Sequence, residues 1–363
     1  MLQRPVLAIA KRAAEKDRSM LVMPLFVLAA LTPLWLLALA VPFGGIWVVL
    51  ALVYMGLFTA LLDQFVPMVM PDAPEGAEFP AADALLVTLA LGHLIALPLV
   101  TWAIAGPSGL LLWERALLAL AAGQWFGQVS NPCAHELIHR GNRALYALGV
   151  VVYATMFFGH HASAHRLVHH RFAASLDDPN TARANESFYQ FWPRAWAGSY
   201  RAGLRAETQR RTGKRLHPYA VYAIISAASL AVGFGVAGLA GVLVWLALGL
   251  YGHSQLLLAD YVQHYGLLRK VQPDGKLEPV SERHSWNAPQ WFSSALMLNA
   301  PRHSDHHAHP SRPYPTLRLP ARGDAPYLPY PLPLCCTLAL APRAWQRLMA
   351  RRLEKWQTVQ TDL

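Results

Sequence analysis

Four histidines fall within seven residues in the stretch Arg302-His303-Ser304-Asp305-His306-His307-Ala308-His309, in a chain with 16 histidines among 363 residues. Neutral imidazole is the commonest protein ligand for transition metals, so the density points to metal chemistry. Two more clusters lie upstream, His135-Glu136-Leu137-Ile138-His139 and His165-Arg166-Leu167-Val168-His169-His170. On a helix, His135 and His139 at i, i+4 share a face and can ligate one metal. The HExxH spacing also matches zinc metalloproteases, but a protease site needs one further ligand, not two further clusters. His165 and His169 are expected to share a helix face, with His170 about 100° from His169. Such a box can serve two metal ions. His303, His306 and His307 repeat that logic. His264, in Tyr261-Val262-Gln263-His264-Tyr265-Gly266-Leu267, is a ninth candidate.

Nine histidines are too many for one four-coordinate zinc. Two metals ligated by neutral imidazoles, with positions left open for oxygen, suit iron redox chemistry. Glu136, Asp177, Asp178 and Asp305 stand beside the clusters and are expected to accept the outer imidazole N–H groups. The three cysteines, Cys133, Cys335 and Cys336, form no CxxC pair. That argues against an iron–sulfur site, a thiolate zinc site and a disulfide framework.

The elements that must carry these residues are membrane helices. The chain is 54% hydrophobic and 14% charged, against roughly 25% charged in soluble domains, with a mean hydropathy of +0.26. Its formal net charge of +10 therefore reads as a membrane-facing basic surface rather than a nucleic-acid site. Six apolar runs approach the ~20 residues needed to span a bilayer: 20–40, 45–62, 84–105, 108–128, 218–238 and 239–259. The first run is too long for a signal-peptide core and lacks a small-residue cleavage site. The 144–158 run is expected to be a buried or interfacial helix, and 331–340 is too short to cross. Six spans form three hairpins and put both termini on one side. Lys and Arg concentrate in a lead-in at 1–18, in 140–217 and in a tail at 341–363, which places these segments in the cytoplasm. All three histidine clusters then share the cytoplasmic end of one integral-membrane domain, 1–363. The expected fold is all-α, with a histidine-rich diiron cap on six transmembrane helices.

With these features together, the chain resembles the membrane alkane 1-monooxygenase (AlkB-type) family, within the integral-membrane hydroxylases and desaturases. The similarity covers roughly 124–314. It rests on His135-Glu136-Leu137-Ile138-His139-Arg140, on Phe158-Gly159-His160 leading to the second box, on His264-Tyr265-Gly266-Leu267 and on Arg302–Ala308. It also rests on Asp178-Pro179-Asn180-Thr181-Ala182-Arg183, Ser187–Arg194 and Gly198-Ser199.

The resemblance implies insertion of one oxygen atom of dioxygen into a terminal C–H bond at two non-haem irons. The implied ligands are His135, His139, His165, His169, His170, His264, His303, His306 and His307. Glu136, Asp178, Asp260 and Asp305 would tune them. His93, His160, His161, His217, His253, His284 and His309 fall outside the ligand set. The implied substrate is an apolar chain from the lipid, with Trp47 or Tyr54 of the second span as candidates for setting its length. The implied electron source is rubredoxin or a ferredoxin-type protein with its reductase. Arg140, Arg143, Arg171, Arg194, Arg201 and Arg205 are candidates for its docking face. The implied location is a bacterial inner membrane.

The chain departs from the family pattern at Ala164, Gln263, Asp260 and Ala300-Pro301. Gln before His-Tyr-Gly also occurs in xylene monooxygenases, so an aromatic methyl hydroxylase is an alternative, as is a fatty-acyl desaturase. A metal carrier would need ionisable groups along its spans. Here the interiors hold few, among them Glu114, Arg115 and His93, which favours a site at one end over a path.

Overall fold

The computed structural model describes residues 22–213 and 215–361. The basic lead-in at 1–18 lies outside the described residues. Those described form helices and loops with only isolated β-bridges.

α1 is Val22–Phe43, α2 is Gly45–Phe65 and α3 is Ala81–Ala105. Gly44 turns the chain between α1 and α2 at φ 56°, a left-handed conformation that glycine adopts without strain. Glu114 holds that end together, accepting the backbone N–H of Gly45 at 2.6 Å and of Leu111 at 2.6 Å. One carboxylate thus sits at the N-termini of two helices, where unpaired amides favour negative charge.

α4 runs over 112–138 as Leu112–Trp125, a π-helical turn Phe126–Ser130, and Asn131–Ile138. The expected fourth span therefore continues into the first histidine box. α5 is Arg143–Thr155, a short packed helix as expected. α6 covers 161–172, with a π-helical turn at His165–His169. α7 is Phe188–Arg210, started by a Ser187–Gln190 capping box.

α8, Pro218–Gln263, is 46 residues long but has non-helical backbone at Ala237 and Gly238. Ser226 donates to the carbonyl of Ala154 at 2.8 Å, and Trp245 Nε1 donates to that of Thr155 at 2.9 Å. A straight helix would separate residues 226 and 245 by about 28 Å. Two adjacent carbonyls accept from both, so α8 doubles back at Gly238, at the expected boundary between two spans. Among the described residues, four helices are long and apolar enough to cross a membrane, namely α1, α2, α3 and α8. The 112–138 stretch, expected as a span at 108–128, is not among them; Glu114 and Arg115 lie in its first turn.

The remaining helices are α9 (Trp291–Leu296), α10 (His303–Ala308), α11 (Leu332–Ala339) and α12 (Pro342–Thr361). Buried Asp63 of α2 accepts the N–H groups of Phe292 at 3.0 Å and Ser293 at 3.2 Å, fixing the start of α9. Buried Arg302 reaches Asp72 and the carbonyls of Met70 and Leu317. The acidic loop after α2 is thereby tied to the third histidine box. The basic tail is an ordered helix, with Trp345, Met349, Leu353 and Trp356 buried.

Candidate metal centre

Three helices and the end of a fourth deliver nine histidines to one place. Their nitrogens fall into two groups, each with ligand atoms within 4.8 Å of one another. The first holds His135 and His139 from α4, His165 and His170 from α6, and His306 from α10. The second holds His169 from α6, His264 from the end of α8, and His303 and His307 from α10. On α10 the division follows ordinary helical geometry. His303 and His307 lie one turn apart on one side, and His306 is rotated to the other.

On α6 the division departs from the expected pairing of His165 with His169. In an α-helix, His165 and His170 would diverge by about 140°. The π-helical turn, bonded i to i+5, brings them over one another instead. Their Nε2 atoms are 2.9 Å apart, and His169 is released to the other group.

The donor set fits two metal ions. In the first group, Nε2 of His165 lies 2.7 Å from that of His135, and Nε2 of His170 lies 3.3 Å from His139 and 3.2 Å from His306. In the second, Nε2 of His303 lies 2.9 Å from that of His264 and 3.1 Å from that of His307. An imidazole N–H can donate to only one neighbour, so hydrogen bonding cannot satisfy this many converging nitrogens. A cation bound at about 2.1 Å would place adjacent ligand nitrogens about 3 Å apart. His169 completes the picture: its Nε2 is buried without a partner while its Nδ1 meets Asp178.

Burial keeps the other imidazoles neutral and their lone pairs free. His135 and His264 are each brought down to about 3, by burial first and then by the positive field of His169. At His169 burial also pushes the value down, but Asp178 outweighs it and holds the ring above its usual value. Burial pushes the Asp178 carboxyl up, and the His169 ring beside it brings it net below the usual range.

Of the carboxylates expected to hold imidazoles, only Asp178 does so among the clustered rings, accepting from His169 Nδ1 at 2.8 Å. Glu136 instead accepts the N–H of Tyr314 at 3.1 Å and pairs with Arg140 at 3.3 Å. Burial pushes its carboxyl up to about 7 against the pull of Arg140. Asp305 is taken by Arg312, by the N–H of Arg318 at 2.8 Å and by His309 at 3.0 Å. Asp260 accepts from Asn180 Nδ2 at 2.7 Å, and the Asn180 N–H donates to Asp178 at 3.0 Å. Asp260 thus reaches the rings only through Asn180 and Asp178. Asp177 is exposed. Glu136, Asp260 and Asp305 are expected to hold imidazoles, but Tyr314 and Arg140, Asn180, and Arg312 and Arg318 take up their oxygens instead.

A cavity of about 640 Å³ opens onto His135, His165, His303 and His306, within the usual range for ligand sites. α2, α4, the second half of α8 and α11 wall it. Leu57, Leu61 and Phe65 line it and are also exposed on the outer face of α2. Trp47 and Tyr54 do not line it; Met55, Leu57, Leu61 and Phe65 do. Tyr54 turns away, donating to the carbonyl of Ala29 at 3.2 Å. His161, expected outside the site, is buried, lines the cavity and stacks on His165 at 4.9 Å. Its position four residues before His165 was the available signal. His160 meets Ser199 at 3.3 Å, His253 meets the Met156 carbonyl at 3.4 Å, and His284 pairs with Glu278 at 3.1 Å. Of the six arginines considered for docking, Arg140 and Arg194 are engaged internally with Asp83 and Glu186.

The model of the fatty acid desaturase family matches residues 107–337. Alkane 1-monooxygenase 1 of Alcanivorax borkumensis is 35% identical over 265 residues, covering 70% of this chain and 63% of its own length. Alkane 1-monooxygenase of Acinetobacter baylyi is 32% identical over 251 residues, covering 66% of this chain and 60% of its own length. Alkane 1-monooxygenase 2 of Pseudomonas aeruginosa is 28% identical over 336 residues, covering 87% of this chain and 86% of its own length. The chain thus spans about three-fifths of the length of the first two relatives. With its long apolar helices, the match makes this an integral membrane protein.

Proposed function

The chain belongs to the fatty acid desaturase family, and on that premise we propose that it is a non-haem diiron monooxygenase hydroxylating the terminal carbon of alkanes or similar apolar chains. The observation that carries this reading is the cavity that joins the exposed face of α2 to His135, His165, His303 and His306. A lipid-dissolved chain can pass between Leu57, Leu61 and Phe65 and present its end carbon to the imidazole clusters. Relatives named alkane 1-monooxygenase favour hydroxylation over desaturation.

His135, His139, His165, His170 and His306 would hold one iron, and His169, His264, His303 and His307 the other. The bound irons supply reductive activation of dioxygen: one oxygen atom enters the C–H bond and the other leaves as water, with two electrons and two protons. The protein's own contribution is placement. A saturated chain offers no polar handle, so the apolar walls orient it and convert encounter into proximity. Asp178 fixes the His169 ring with Nε2 directed to the metal and raises its basicity. Burial of the rings excludes bulk water from the reacting end.

The electrons come from a separate protein, for which rubredoxin or a ferredoxin-type donor with its reductase is the fitting class. Arg143, Arg171, Arg201 and Arg205 remain exposed for docking. We place the site on the cytoplasmic side of a bacterial inner membrane, with six crossings counted by splitting α8 at Gly238 and including the 108–128 stretch. Both termini then lie on that side. Expression with a rubredoxin and its reductase in an alkane series tests the reading. A terminal alcohol supports it; an alkene from an acyl chain, or oxidation of xylene but not octane, replaces it.

A further inference from the structure

The cavity wall is not purely apolar. Gln124, Gln128 and Asn131 follow one another along α4 toward His135 at spacings of four, three and four, and all four residues line the cavity. Oε1 of Gln124, Oε1 of Gln128 and Oδ1 of Asn131 are buried and have no hydrogen-bond partner. Asn131 itself is 2% exposed. Its orientation is determined by chemistry: Nδ2 donates to the Gly252 carbonyl at 2.7 Å, so the oxygen must be the atom left over. Packed against α4, Gln255 of α8 likewise spends its Nε2 on the Gly123 carbonyl at 3.3 Å. Gly56 stands opposite Gln124 Oε1, which would lie 3.9 Å from a β-carbon there. The wall therefore presents a line of three hydrogen-bond acceptors, and at Asn131 the donor is already committed. Buried acceptors without partners are rare because they are unfavourable, and a hydrocarbon satisfies none of them.

We propose that Gln124, Gln128 and Asn131 are specificity-determining residues that select an amphiphile, a long apolar chain carrying a hydroxyl or amide N–H donor, over a plain alkane. This rests on reading the cavity as the substrate's place. At 1.5 Å per residue, Gln128 and Gln124 stand roughly 10 and 16 Å along the helix from His135. A chain gripped there by its hydroxyl places its far methyl group at the histidines. A primary alcohol is then hydroxylated at its other end. One atom of dioxygen enters the far C–H bond and the other leaves as water, with two electrons and two protons from the electron donor.

The test uses decane and 1-decanol with the iron-loaded protein and its electron donor, in wild type, in Gln128→Met and in the Gln124→Met/Gln128→Met double variant. Methionine keeps the length of the side chain and removes the acceptor. The ratio of kcat/KM for 1-decanol over decane is expected to fall about three- to tenfold, the worth of one hydrogen bond. Thermal unfolding supplies a readout independent of turnover. 1-Decanol should raise Tm more than decane in wild type, and the double variant should lose that difference. An unchanged ratio, or an unchanged Tm difference in the double variant, overturns the proposal. Wild type that turns over neither compound removes the monooxygenase reading instead, and the Tm comparison still decides the question of the acceptors.

Discussion

His165 pairs with His170 and not with His169: the Nε2 atoms of His165 and His170 lie 2.9 Å apart, and His169 faces His264 in the neighbouring group. The pairing follows from the π-helical turn at His165–His169, and it divides a single sequence box between two metal positions. His165→Ala and His170→Ala should therefore give one phenotype, and His169→Ala and His264→Ala another. In each case iron should drop from about two to about one per chain, and Mössbauer spectra should show the same surviving site within each pair. Identical spectra for His165→Ala and His169→Ala would contradict the division.

Asp178 is the carboxylate that meets a clustered imidazole, that of His169. Asp178→Asn should weaken iron binding at the group containing His169 by roughly 10- to 100-fold, measured by competition with a chelator. Asp305→Asn should leave iron affinity unchanged and lower Tm, because Asp305 braces Arg312, His309 and the Arg318 N–H rather than an iron-facing ring. Equal losses of affinity in the two variants would show that the distinction is wrong.

Metal-stripped protein should be acid-labile. His135 and His264 sit at about 3, by burial and then by His169, against an ordinary 6.5. A depressed value means the folded chain binds fewer protons than the unfolded one. The stability is present above about 6.5 and is lost as pH falls toward 3, by about 1.4 kcal/mol per pH unit for each such ring. Glu136 has the opposite sign. Its carboxyl is raised to about 7 from 4.5, so its contribution is present at low pH and lost as pH rises through 7. One glutamate opposes several histidines, so Tm should fall between pH 6.5 and 5. A flat or rising Tm over that interval would contradict the burial argument.

The doubling back of α8 depends on small residues. A β-carbon on Gly241 would collide with the carbonyl oxygen of Gly233, across the hairpin. That atom is backbone and cannot step aside, so Gly241→Val should destabilise the fold by about 1–3 kcal/mol or more. Gly235→Val, where a β-carbon meets nothing within 4 Å, is the control. Equal Tm for the two variants would argue against close packing of the hairpin.

The candidate ligands were legible in the chain because metal chemistry restricts residue type: only a few side chains can do such work, and eight of the nine clustered histidines stand at short spacings, with His264 alone. The boundary near Gly238 was also legible, since two span-lengths of apolar sequence require a turn somewhere. The π-helical turn at His165–His169 was not, because hydrophobic periodicity carries no record of an i to i+5 hydrogen bond. The partners of Glu136, Asp260 and Asp305 were hidden for a related reason. Tyr314, Asn180 and Arg312 compete for those oxygens, and only the folded chain brings them close. The cavity-facing side of α2 begins at Met55, beyond Trp47 and Tyr54, where another π-helical turn, Tyr54–Phe58, alters the register.

The central claim is that nine histidines in two groups hold two irons that hydroxylate a terminal carbon. Its most direct measurement follows octane and isotopically labelled dioxygen with purified, iron-loaded protein and an electron donor, in wild type and His264→Ala. Wild type should carry two irons per chain and form 1-octanol containing one labelled oxygen, and His264→Ala should lose both one iron and the product. Full iron content and full turnover in His264→Ala would contradict the account.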